Sequence, residues 1–203
     1  MRRSRSAIAP SAPDASRVFN RIATFPVCSQ RGSSCDSDET TAAEIIAATA
    51  DGLTLVYTNS PAKAIGFIDL QDPAAPAPLG ALAMGGEPTS VAILGAHALV
   101  AVNTSKTRAE PTGKLVIVDV ASRTVISEHG LPGQPDSIAI SKDGQWAAVV
   151  IENERDEDVN EGALPQLPGG SLVVVSTAAG KPADWTLSTV ELTGMAERFP
   201  EDP

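Results

Sequence analysis

The chain has 203 residues, 42% hydrophobic but only 3% aromatic, enough to bury a core of Ala, Val, Ile and Leu in one large domain or two small ones. A formal net charge of −10 repels phosphate backbones and argues against nucleic acid as a partner. No apolar run reaches the roughly 18 residues a membrane span needs.

Sixteen Gly and sixteen Pro point to short strands joined by many turns, and small and β-branched apolar residues suit sheet packed on sheet. Residues 1–40 read as an irregular amino-terminal tail rich in Ser, Arg, Ala and Pro. Met1–Ser6 is basic, but Ala7-Ile8-Ala9-Pro10 is too short an apolar stretch for a signal peptide. The protein therefore either stays inside the cell or starts upstream of Met1. A short alternating segment over 18–25, with Phe19, Arg21, Ala23 and Phe25 on one side, is predicted to be a strand able to pair with a sheet edge. Cys28 and Cys35 flank a loop-like spacer. They are expected to form a small disulfide ring in an exported protein and to remain free thiols in a cytosolic one. No further Cys or His lies close enough in sequence to suggest a zinc site. Thr40 or Thr41 could cap a short helical turn, but the repeat that follows claims Glu44 onward as strand.

From residue 41 the chain repeats. The first copy runs Glu44–Ala48, a turn at Asp51-Gly52, Leu53–Asn59, then Ala64–Leu70. The second runs Ser90–Ile93, a turn at Gly95-Ala96, Ala98–Asn103, then Lys114–Val120. The third runs Ser137–Ile140, a turn at Asp143-Gly144, Gln145–Asn153, then Gly170–Val175. A fourth strand follows each, around Leu79–Leu82, Thr124–Ser127 and Trp185–Leu192. Asn59, Asn103 and Asn153 read as equivalent strand ends 44 and 50 residues apart, and Asp69 and Asp119 close third strands 50 apart. Four antiparallel strands per period make the blade of a propeller.

The fold class expected is therefore all-β, a partial β-propeller of about three four-stranded blades, at about 41–85, 86–132 and 133–194. Three blades do not close a ring, which normally takes about four to eight. The expectation is a piece of a longer protein, with the remaining propeller blades of the parent chain as its first partner. Strands buried on both faces should be continuously apolar, as Leu115–Val118 and Leu172–Val175 are.

Glu152, Glu154, Asp156, Glu157, Asp158 and Glu161 put six carboxylates within ten positions, offset only by Arg155. One reading is a solvated rim loop, which is favoured because charge runs are commonly just that. The other is a calcium site formed by Glu152, Glu154, Asp156, Asp158 and Asn160, oxygen ligands of the kind Ca²⁺ takes. It is not an EF-hand, since Glu161 stands where that loop needs Gly and Leu167 where it needs its bidentate Glu. No catalytic residue is assigned. His97 in a hairpin turn and His129 beside Gly130 read as solvent-facing, and no Gly-x-Ser-x-Gly elbow accompanies them. Gly85-Gly86 and Gly169-Gly170 read as turns, the three Asn as turn chemistry, and Trp146 and Trp185 as packing between blades. A Trp exposed on the rim would instead suggest a carbohydrate or protein contact.

The order Gly86–Ile93, Lys114–Asp119 and Gly133–Gly144 resembles the seven-bladed lactonase/YVTN-type propeller repeat. The loop Glu152–Gly162 followed by Leu164-Pro165-Gln166-Leu167-Pro168 is similar to one in bacterial proteins of the choice-of-anchor and phytase-like esterase group. The resemblance covers about residues 18–203. It implies a secreted or periplasmic protein in which this chain is a binding or scaffold segment without catalysis of its own. The alternative it implies is a segment of a phytase-like esterase or phosphatase whose catalytic region lies beyond this chain.

Overall fold

The computed structural model describes residues 21–31, 35, 40–163 and 166–192. Among the described residues, twelve strands form three four-stranded antiparallel sheets, each a meander in chain order. Sheet 1 holds β1 (Ile46–Ala48), β2 (Thr54–Asn59), β3 (Ala64–Asp69) and β4 (Ala77–Ala83). Sheet 2 holds β5 (Glu87–Leu94), β6 (His97–Asn103), β7 (Gly113–Asp119) and β8 (Thr124–Leu131). Sheet 3 holds β9 (Pro135–Ile140), β10 (Trp146–Ile151), β11 (Ser171–Ser176) and β12 (Thr186–Glu191). Their first strands adjoin, β1 beside β5 and β5 beside β9, as inner strands around a common axis do. The architecture is all-β, a partial propeller, and no α-helix occurs among the described residues. The strand expected over 18–25 is not formed across its described part: Arg21–Phe25 has no ladder partner, and Val18–Asn20 lie outside the described residues.

Sheet 2 is covered on both sides. Val100, Val102, Val116 and Val118 point back to Val56, Ile65 and Phe67 of sheet 1. Leu99, Ala101, Leu115 and Ile117, their alternates, point forward to Ala147, Val149, Ile151, Val173 and Val175 of sheet 3. The apolar runs of β6 and β7 thus serve two cores at once. In sheet 3 the matching run alternates, with Val173 and Val175 buried and Leu172 and Val174 only half-buried, because one face has no neighbour.

Pairing registers correct the sequence alignment. Pro88 opposite Val102 matches Pro135 opposite Ile151, and Lys114 opposite Val102 matches Ser171 opposite Ile151. Asn59, paired with Ala64, takes the place of Val102 in the first copy. The three Asn therefore occupy three different places, and aligning on them shifts a strand by one residue and exchanges its faces. Asp69 and Asp119 are true equivalents, each beginning its β3–β4 or β7–β8 pairing register.

Local chemistry sets the hairpins. At Asp51-Gly52 and Asp143-Gly144 only the glycine has positive φ, 73° and 69°. The aspartate acts through its carboxylate. Asp51 Oδ1 accepts from Thr49 Oγ1 at 2.6 Å and Leu53 N at 3.0 Å, and Asp143 Oδ1 from Ser141 Oγ at 2.6 Å and Gln145 N at 3.1 Å. These bonds, side-chain donor first, hold both carboxyls below the usual 3.8. Ser122 does the same for Asp119 through its hydroxyl and backbone N–H.

A carboxylate lowered in the folded state contributes stability that is complete above its unfolded pKa and is lost as pH falls through the folded value. Melting temperature should therefore be flat from neutrality down to about pH 4 and fall below it. Asp51→Asn with Asp143→Asn should give a shallower acid limb in a pH series of thermal melts, and an unchanged limb would contradict this account. Gly66 lies under the ring of Tyr57, its cross-strand partner, so that a Cβ there would overlap the ring. The pair replaces Val100 and Val116 of sheet 2, one residue larger and the other smaller. Gly66→Ala should cost about 1–3 kcal/mol by overpacking, read as a lowered urea midpoint.

Candidate functional site

The β6–β7 and β10–β11 connections meet at one rim. The β6–β7 loop, residues 104–112, is closed by Thr104 Oγ1 to Thr112 Oγ1 at 2.9 Å and by Ser105, whose Oγ donates to Thr112 O at 3.1 Å and accepts from Thr112 N at 2.9 Å. The β10–β11 loop, residues 152–170, is tied at both ends by Asn153. Its Oδ1 accepts from Gln134 N at 2.9 Å, and its Nδ2 donates to Gly169 O at 2.9 Å. Asn153 has a φ of 54°, in the left-handed region that Asn tolerates better than most residues. Inside the loop, Gln166 acts as a piece of strand: Oε1 accepts from Asp156 N at 2.7 Å and Nε2 donates to Asp156 O at 2.8 Å.

Between the loops lies a cleft of about 270 Å³, lined by Arg108, Asn153, Glu154, Asp156, Asn160 and Leu167 among others. Arg108 Nε reaches Glu154 Oε2 across it at 3.3 Å, with both side chains about half exposed. Such a pair contributes at most about 1 kcal/mol and leaves the guanidinium edge open to a ligand. The cleft is open to solvent and mixed in polarity.

Glu154, Asp156 and Asn160 of the acidic run line the cleft, and its carboxylates have separate partners. Glu154 is turned to Arg108, and Glu157 to Arg155 at 3.2 Å. Asp156 Oδ1 accepts from Asp158 N at 3.0 Å in a local turn. Glu152 continues the strand, its N–H on Gln134 O, and Asn160 lines the cleft at a φ of 50°. Among the described residues no group of three or more His, Cys, Asp or Glu is placed to share a metal ion. Cys28 and Cys35 are joined by a disulfide, Cα–Cα 5.1 Å.

Both histidines are half-buried, not solvent-facing as their sequence context implied. His97 packs edge-on to Trp185, with ring centroids 6.5 Å apart. His129 lies within β8, and its Nε2 donates to Pro182 O at 2.9 Å. Trp185 is buried between sheets 2 and 3, and its Nε1 donates to Ala179 O at 2.9 Å. Trp146, read as packing, is 49% exposed on the uncovered face of sheet 3. Sequence marks neither Arg108 nor Gln30, because an isolated polar residue in a loop carries no pattern.

The family model of the choice-of-anchor I domain matches residues 44–201. The chain belongs to the choice-of-anchor I domain family. No functionally curated protein matches this choice-of-anchor I chain in sequence. Among solved structures, hydrazine synthase of Kuenenia stuttgartiensis is similar with a TM-score of 0.52 at 16% identity, over 72% of this chain and 37% of that one. A luciferin-regenerating enzyme gives a TM-score of 0.49 at 15% identity, over 68% of this chain and 46% of that one. The choice-of-anchor I chain thus spans less than half the length of either neighbour, and the hydrazine synthase likeness concerns the fold alone. No helix among the described residues is long and apolar enough to cross a membrane.

The divergent carboxylates give the rim a checkable property. Calcium added at millimolar concentration should leave the melting temperature of the chain unchanged. A calcium-dependent rise that Asp156→Asn with Asp158→Asn removes would establish the calcium site expected at Glu152, Glu154, Asp156, Asp158 and Asn160.

Proposed function

We propose that the chain is a binding or scaffold segment of an exported β-propeller protein, with repeats of the lactonase/YVTN kind, and that its third sheet is a docking face for a further blade. The observation that carries this is positional. By strand register, Trp146, Ala148, Val150, Leu172 and Val174 on the open face of sheet 3 repeat His97, Leu99, Ala101, Leu115 and Ile117 of sheet 2. Four of those five sheet 2 residues are fully buried against sheet 3, all but His97.

Hydrogen bonding repeats as well. Ser90 Oγ on β5 accepts from Ile138 N of the next sheet at 3.2 Å. Ser137 is its equivalent on β9, exposed on the open face and positioned to do the same for an incoming strand. A soluble protein has little reason to repeat an interface on a surface nothing covers. Export is supported by membership of the choice-of-anchor I family and by the Cys28–Cys35 disulfide, which suits an oxidising compartment. In this reading the blades support the rim cleft, and the cleft is the contact surface. A role within a larger phytase-like esterase rests on regions beyond this chain.

The test is a tandem. A second copy of residues 133–192, its own tryptophans changed to phenylalanine, is appended to the carboxyl end of the chain. Trp146 should lose most of its acrylamide quenching and its emission should shift to the blue, while Trp185, already buried, stays unchanged. Val174→Lys in the tandem should restore quenching. Undiminished quenching of Trp146 beside a folded fourth sheet would overturn the reading.

A further inference from the structure

At one end of the gap between sheets 2 and 3 the chain inserts an indole of its own. Trp185 closes the β11–β12 connection, residues 177–185, immediately ahead of Thr186, which pairs with Ser176. It is 6% exposed and meets His97, the first residue of β6, edge-on at 6.5 Å between ring centroids. The connection leans on sheet 2 as well, for the 3₁₀ turn Pro182–Asp184 lies against β8. The one N–H of the indole donates to Ala179 O at 2.9 Å, as a buried tryptophan requires.

One repeat earlier the same place has no such plug. Asp69 and Asp119 are equivalent, so Thr54, opposite Asp69, takes the place of His97, opposite Asp119. Ser176, opposite Trp146, takes the place of Asp119. Trp185, one residue ahead of the partner of Ser176, therefore matches Arg123, one residue ahead of Thr124, the partner of Asp119. The β7–β8 connection is only the tight turn 120–123, with Arg123 at a φ of 57° and its N–H on Asp119 O at 2.8 Å. Between sheets 1 and 2 this leaves an open groove of about 410 Å³, lined by Thr49, Asp51, Thr54, Leu79, Ala121 and Arg123 among others. That volume lies within the range of about 300–1,000 Å³ that small-molecule sites occupy.

The lining complements a ring of the kind the next repeat supplies. Leu79 and Ala121 are apolar, and Arg123 is an exposed guanidinium beside them, a group that stacks on aromatic faces. Asp51 spends Oδ1 on its own turn, accepting from Thr49 Oγ1 and Leu53 N, and has Oδ2 to accept an N–H as Ala179 O does for Trp185. We propose that this groove is a binding site for a planar aromatic ring with one N–H donor, an indole or a related heterocycle, held between Arg123 and Asp51. Both walls belong to this chain, so the proposal goes beyond the docking of a further blade and stands whether or not sheet 3 is covered.

The test is a titration of the unmodified chain with indole, followed by amide chemical shifts. Saturable shifts are expected at Ala50, Ala96 and Ala121, with a dissociation constant of about 1 mM or tighter. Arg123→Ala should weaken binding about three- to fivefold, as the loss of one exposed cation–π contact does. No saturable shift, or shifts confined to Ala148, Val150 and Val174 on the open face of sheet 3, would overturn the proposal. N-acetyltryptophanamide in place of indole separates the two sources of such a ring. Binding as tight as that of indole assigns a tryptophan side chain of a protein partner, weaker binding assigns a free small molecule, and either result upholds the site.

A second variant needs no ligand. Thr54→Trp rebuilds the plug from the β2 wall, where strand backbone accepts an aromatic residue, whereas Arg123 sits at positive φ. The chain has two tryptophans, so in a Trp146→Phe background the introduced ring is accompanied only by the buried Trp185. Acrylamide should then quench little of the emission, the melting temperature should rise by about 2–4 °C, and indole should no longer bind. A readily quenched ring with an unchanged or lowered melting temperature would show that the groove does not take an indole, and the proposal would fail there.

Discussion

Burial of the middle sheet on both faces is the constraint on which the rest depends. β6 and β7 carry unbroken apolar runs, and alternation sends Val100, Val102, Val116 and Val118 one way and Leu99, Ala101, Leu115 and Ile117 the other. All eight are fully buried. Each fully buried Val, Leu or Ile among them contributes about 1.5–3 kcal/mol from burial, so sheet 2 holds its neighbours in place and cannot be removed without exposing both cores. The inter-sheet hydrogen bonds are secondary: Thr89 Oγ1 to Pro135 O at 2.9 Å, Ser60 Oγ to Pro88 O at 3.0 Å, and the Ser90 bond to Ile138 fix the rotation of one sheet on the next.

The same constraint explains what the ends look like. A repeat stack leaves one face open at each end unless it closes or is capped. Sheet 3 is left with an apolar face, Trp146 foremost. Sheet 1 is left with a face that its own amino-terminal segment half covers, through one glutamine amide seated in a change of register. The two ends thus differ: the open face of sheet 3 is bare, and that of sheet 1 is partly covered by the segment around Gln30.

Much of the architecture was legible before the structure, because strand periodicity, Asp-Gly turns and a period near 50 are local signals that survive in one sequence. The third-strand repeat through Asp69 and Asp119 held because both close strands through side-chain bonds to the following turn. The Asn repeat misled because the loops between second and third strands differ in length, and an Asn next to a loop satisfies whatever backbone group is near: Ala42 N for Asn59, Ser105 N for Asn103, Gln134 N for Asn153. The seat of Gln30 was illegible for a related reason, since Gln30 bonds partners 37 and 50 residues away. At the rim, sequence gave a density of carboxylates and the structure gave their directions. Arg108, Arg155 and backbone N–H groups draw them apart.

The central claim is that the open face of sheet 3 is the same kind of surface as the buried forward face of sheet 2, differing only in having no neighbour. Ile117 and Val174 are equivalent positions on those two faces, so the direct measurement is urea unfolding of Ile117→Asp and Val174→Asp, side by side in the chain as it stands. The account predicts that Ile117→Asp, a charge buried without a partner, abolishes the cooperative transition or lowers stability by more than about 3 kcal/mol. Val174→Asp should stay within about 1 kcal/mol of the parent, as a substitution on a solvent-facing surface does. Equal losses at the two positions would mean that sheet 3 is already covered, and the docking face would not exist.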